Sequence, residues 1–103
     1  MFARHVTMRL RADSVTKFAV VVETEVMDLL RRQPGFVDQI TLIAPESAEA
    51  IVITFWQTRE MEEAFNRTQN PEVLEKLLDV IEGAPQINLF EFVSCSSYHQ
   101  AQT

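Results

Sequence analysis

Between Ile51 and Phe65 the chain reads IVITFWQTREMEEAF, an uninterrupted apolar strand that ends in the only Trp and runs straight into an amphipathic helix. A strand that is apolar at consecutive positions has neither face in water, so both faces must be covered. In 103 residues with two evident helical stretches, the helices can cover one face of a sheet and hardly both. A second copy of the same chain is the simplest cover for the other face.

The remaining elements follow from periodicity and punctuation. Phe2–Arg11 alternates as a strand, with Phe2, Arg4, Val6, Met8 and Leu10 on one face and Ala3, His5, Thr7 and Arg9 on the other. Asp13 or Ser14 is a natural N-cap for a helix through Arg31, whose Val15, Phe18, Val22, Val26, Leu29 and Leu30 make an apolar stripe. Gln33-Pro34-Gly35 breaks it. Phe36–Ile43 and Ala50–Trp56 read as a hairpin around the turn residues Ala44–Ser47. Thr58 caps a short helix carrying Met61, Ala64 and Phe65. Asn70-Pro71 starts a second helical segment ending near Gly83 as its C′ residue, so this helix is broken near Asn70. Ile87–Val93 is the last strand.

The order is β-α-β-β-α-β, the α+β ferredoxin-like plait: a four-stranded antiparallel sheet with two helices on one face. The bare face then carries either Val52, Thr54 and Trp56 or Ile51, Ile53 and Phe55. Either set is too apolar for water, which predicts a two-fold homodimer packed sheet on sheet. Residues 1–94 read as one domain and 95–103 as a flexible C-terminal tail.

Charge and motif content narrow the function. A net charge of −6, with Arg4, Arg9 and Arg11 near one end and Arg31–Arg32 closing a helix, builds no basic stripe for nucleic acid. The third strand, AIVITFW, lacks the basic and glycine positions of an RNA-recognition motif. No run of about 18 apolar residues offers a membrane span, and MFARHVTMRL has no signal-peptide core, so a cytoplasmic protein is expected. The single Cys95 cannot close an internal disulfide, and in SCSSYHQAQT it reads as a bystander. His5 and a distant Cys95 make no metal site, and no glycine-rich loop cradles a phosphate.

PGFVDQITLI (Pro34–Ile43), ITFWQTREMEEAF (Ile53–Phe65) and NLFEFV (Asn88–Val93), taken with the element order, resemble the antibiotic biosynthesis monooxygenase domain family of the dimeric α/β-barrel group over residues 2–94. The resemblance implies a homodimer with an apolar cleft between each sheet and its helices. In active relatives that cleft holds an aromatic polyketide, a quinol or a haem. It also implies oxygen insertion with no cofactor of the protein's own, because an electron-rich substrate itself reduces O2 while the protein supplies desolvation, positioning and a proton acceptor. Many relatives carry a His nine residues after the strand-three Trp. Here that position is Phe65. The helix Trp and iron-ligating His of haem-degrading members correspond to Phe65 and Glu75, which disfavours haem degradation.

The candidate substrate-binding residues are accordingly Trp56, Phe65, Asn66 and His5, with Arg9 a further polar group. Each has a structural alternative. Trp56 can be core or dimer packing, Asn66 a helix-surface residue, and His5 a strand residue or dimer contact. Two functions stand side by side. One is a cofactor-independent monooxygenase acting on an electron-rich aromatic or quinol. The other is a non-catalytic dimeric small-ligand-binding or stress-related protein. A cavity with a convergent polar side chain would favour the first, and a space filled by Phe18, Met61 and Leu77 the second.

Overall fold

A computed structural model describes residues 1–96 and 98–99. Its elements are β1 (Phe2–Leu10), α1 (Val15–Val21), a π-helical turn (Val22–Val26), α2 (Met27–Arg31), β2 (Phe36–Ala44), β3 (Glu49–Trp56), α3 (Arg59–Thr68), α4 (Asn70–Leu77), β4 (Ile81–Glu91), and the short strands β5 (Ser94–Cys95) and β6 (Tyr98–His99). The main sheet is antiparallel in the order β2-β3-β1-β4, as the plait requires.

Register decides which residues share a face. Phe2, Arg4, Val6 and Met8 lie opposite Trp56, Thr54, Val52 and Ala50, and this is the face under the helices. Ala3, His5 and Thr7 lie opposite Phe55, Ile53 and Ile51 on the other face. Of the two sets the sequence allowed, Ile51, Ile53 and Phe55 are the ones the helices leave uncovered. Across the strands they are joined by Ile40, Leu42 and Phe90, which are 43, 52 and 54% exposed.

Phe18, Trp56, Leu30, Val22 and Val80 are the largest fully buried side chains and form the centre of the sheet–helix layer. Thr58 caps α3 by accepting a hydrogen bond from the Met61 amide at 3.2 Å. Gly35, at φ +81°, turns the chain into β2 where a Cβ would collide with the Met61 side chain; no other residue fits there without moving α3.

Ser14, one of the two expected residues, is the N-cap of α1, although its side chain makes no cap hydrogen bond, and Asp13 sits at φ 60° in the preceding turn. Two local expectations are corrected. The cap of α4 is Gln69, so Asn70 is already helical and Pro71 follows it within the first turn. Gly83 does not end a helix. It belongs to β4, which begins at Ile81 rather than Ile87. Between the pairs Thr7–Gln86 and Arg9–Glu82, β1 spends one residue, Met8, while β4 spends Gly83, Ala84 and Pro85. That bulge needs the left-handed φ of Gly83 (+69°) and tolerates the missing amide of Pro85.

Of the C-terminal tail, Ser94 pairs with His99 and Cys95 with Tyr98; position 97 and residues 100–103 lie outside the described residues. No helix among the described residues is long and apolar enough to cross a membrane.

Candidate functional site: a sheet–helix cavity

Two irregularities border the space between the sheet and the helices. The π turn places Val22 and Val26 on one wall, and the β4 bulge places Ala84 and Pro85 on another. π turns inside α-helices occur often at functional sites. Between these walls is a cavity of about 240 Å3, floored by Val6, Met8 and Val52 of the sheet and closed by Phe65 and Leu77 of the helices. Ile87, 42% exposed on the edge strand β4, marks the open side.

Nearly all of this wall is apolar; Arg4, Thr54 and Asn70 are its polar members. Arg4 and Thr54 are direct cross-strand partners on the helix-facing side of the sheet, so their side chains are neighbours. Thr54 Oγ1 accepts a hydrogen bond from Trp56 Nε1 at 2.9 Å, which leaves its own hydroxyl proton to donate elsewhere.

Arg4 is only 4% exposed. Its Nη2 donates to Asn66 Oδ1 at 2.9 Å, and its guanidinium lies 5.6 Å from the centre of the Phe65 ring. Its Nε lies 3.2 Å from Glu62 Oε2 as an ion pair, yet no acceptor among the described residues is in line with that N–H. Glu62, 2% exposed on the first turn of α3, stands behind Arg4 and away from the cavity. Burial pulls the Arg4 guanidinium below its usual range, and Glu62 partly restores it. Burial pushes the Glu62 carboxyl up. Arg4 pulls it back, Glu63 adds to the rise, and Arg59 opposes it.

The four residues singled out from the sequence divide. Phe65 is in the cavity wall. Trp56 is fully buried behind it, with ring centres 4.9 Å apart and Phe36 edge-on at 5.7 Å, so it supports the wall. Asn66 is exposed and reaches the site by accepting from Arg4. His5 is on the opposite sheet face, its ring edge-on to Phe90 at 5.9 Å, and its buried Nδ1 has no hydrogen-bond partner among the described residues. Arg9 is also on that face, 4.0 Å from Glu49. Arg4, Glu62 and Thr54 were not singled out. Phe18 is core, Met61 packs toward Gly35, and Leu77 forms wall, so these three do not fill the space. Among the described residues no cluster of three His, Cys, Asp or Glu side chains could hold a metal ion.

No protein-family model and no curated protein matches the sequence. Solved structures do match in fold. A monooxygenase from Streptomyces coelicolor, in complex with nanaomycin D, superposes with a TM-score of 0.77 at 16% identity over 91% of this chain and 88% of that one. A cofactor-independent oxygenase from Streptomyces nogalater gives 0.76 at 14% identity, covering 94% and 97%. A Bordetella bronchiseptica protein assigned to the antibiotic biosynthesis monooxygenases gives 0.79 at 14% identity, covering 90% and 97%. The chain therefore has the α+β ferredoxin-like fold of the antibiotic biosynthesis monooxygenase structures, over nearly its whole length.

Proposed function

We propose that this chain is a homodimeric small-molecule-binding protein that takes a one- or two-ring aromatic into the sheet–helix cavity and oxidises it with O2 without a cofactor. The observation that carries this reading is the apolar cavity with Arg4 and Thr54 side by side in its wall. An apolar cavity of about 150 Å3 accepts a single benzene ring, and drug-sized ligands occupy about 300 Å3 or more. The space here, about 240 Å3, falls between them. A fold relative in complex with nanaomycin D and another that is a cofactor-independent oxygenase support the chemistry. Phe65 would contact the ring, with Trp56 and Asn66 holding Phe65 and Arg4 in place.

One observation favours binding without turnover. The described cavity wall contains no His, Asp or Glu, and Phe65 holds the position at which the family resemblance implies a His in many relatives. A reduced naphthoquinol separates the two readings. Protein-dependent O2 consumption above the spontaneous rate supports the monooxygenase reading, and saturable binding with no added O2 uptake leaves a binding protein.

The second copy is proposed from the bare sheet face. Ile40, Leu42, Ile51, Ile53, Phe55 and Phe90 form one continuous apolar surface there, and a patch of this kind marks an interface. Ile53, at its centre, should be decisive. Ile53→Asp is expected to convert a dimer at micromolar concentration into a monomer in analytical ultracentrifugation. A wild-type monomer would contradict the proposal.

A further inference from the structure

Arg4 and Thr54 are the only polar side chains on the sheet floor of the cavity among its described wall residues, and they are adjacent. Both have donors to spare: Thr54 its hydroxyl proton, Arg4 the N–H groups beyond the bond to Asn66. Two adjacent donors in the wall of an apolar space fit one oxygen acceptor. The charge on Arg4 is already balanced by the ion pair to Glu62 at 3.2 Å. A ligand carboxylate would therefore add an uncompensated negative charge to an apolar site, whereas a carbonyl oxygen adds none.

We propose that the Arg4–Thr54 pair is the polar anchor of the cavity and selects a neutral one- or two-ring aromatic bearing a carbonyl oxygen over its carboxylate counterpart, with Glu62 setting that preference. This inference rests on the small-aromatic reading of the cavity. Arg4 and Thr54 touch the ligand. Glu62 and Asn66 are positioning residues that fix the guanidinium and its net charge. Burial lifts the Glu62 carboxyl, so its charge is the adjustable element of the pair.

Trp56, the only Trp, packs with its ring centre 4.9 Å from that of the wall residue Phe65 and provides a fluorescence readout. Three ligands of equal ring count, naphthalene, 1-tetralone and 2-naphthoate, are titrated into the intact protein at neutral pH. The tetralone is expected to bind about tenfold tighter than naphthalene, the range of one hydrogen bond to a charged donor. Naphthoate should bind more weakly than either. In Glu62→Gln the order of tetralone and naphthoate reverses, because Arg4 is left as an unpaired cation. In the double variant Arg4→Met/Glu62→Leu, which removes the ion pair without stranding a charge, the tetralone advantage over naphthalene shrinks, with only the Thr54 hydroxyl left to donate.

Naphthalene that binds while tetralone gains nothing overturns the anchor and leaves the cavity reading standing. So does a double variant that keeps the tetralone preference undiminished, or wild-type protein that binds naphthoate as well as tetralone. Failure of all three ligands to bind overturns the cavity reading and the anchor with it.

Discussion

Arg4→Met is expected to destabilise the protein by about 3–5 kcal/mol, the cost of leaving one member of a buried ion pair without its partner. Arg4 and Glu62 are both almost wholly buried, and Asn66 and the Phe65 ring also lose their contact with the guanidinium. Adding Glu62→Leu should recover most of that loss, since replacing both charges by apolar groups of similar size is often neutral or stabilising. Urea titration of the two variants measures both effects. A small loss in the single variant would mean that the pair is hydrated.

The same pair gives a pH dependence with a definite sign. Burial raises the Glu62 carboxyl above its usual 4.5, and Arg4 opposes the rise without cancelling it. The native state therefore holds this proton more tightly than the unfolded chain. The Glu62 contribution is fully present below the usual carboxylate value and is lost as pH climbs through the raised one. Removing Arg4 takes away the cation that lowers the Glu62 value, so the deficit of Arg4→Met grows with pH over that window. Glu62→Gln removes this slope. Equal slopes in wild type and Glu62→Gln would show that Glu62 titrates as it does in the unfolded chain.

Trp56→Ala is expected to cost about 3–5 kcal/mol, the range for truncating a fully buried large aromatic. The indole is 0% exposed, lies between Phe36 and Phe65, and donates to Thr54. Trp56→Phe keeps a ring against Phe65 and gives up the hydrogen bond, and should cost about 1 kcal/mol beyond the volume lost. The ranking separates packing from ligand contact. If Trp56→Ala melts near the wild-type temperature while ligand affinity falls, the side chain faces the ligand instead of supporting the wall.

Much of this arrangement was legible because the strands alternate cleanly. The β1 pattern put Arg4 on the same face as Phe2, Val6, Met8 and Leu10, and the register bears out that face. A lone Arg on an apolar stripe was the available signal for the anchor. It carried little weight because a strand-end Arg can also extend into solvent. Glu62 was hidden among Glu60 and Glu63. Only its helical phase, three residues before Phe65, sets it on the buried side. The β4 start was missed because Gly83-Ala84-Pro85 has the chemistry of a helix end and loop. Pairing with β1 across a bulge overrides that local preference. The cavity itself has no sequence signature, since Val22 and Val26 keep ordinary helical spacing whether or not the turn between them widens to π geometry.

Methyl-labelled NMR with naphthalene added to saturation locates the ligand most directly. Occupation of the cavity should shift the methyl resonances of Val22, Val26, Leu30 and Leu77, which line it, and leave those of Ile51 and Ile53 on the opposite sheet face in place. Shifts confined to Ile51 and Ile53, or none at all, would contradict the assignment of function to the sheet–helix cavity.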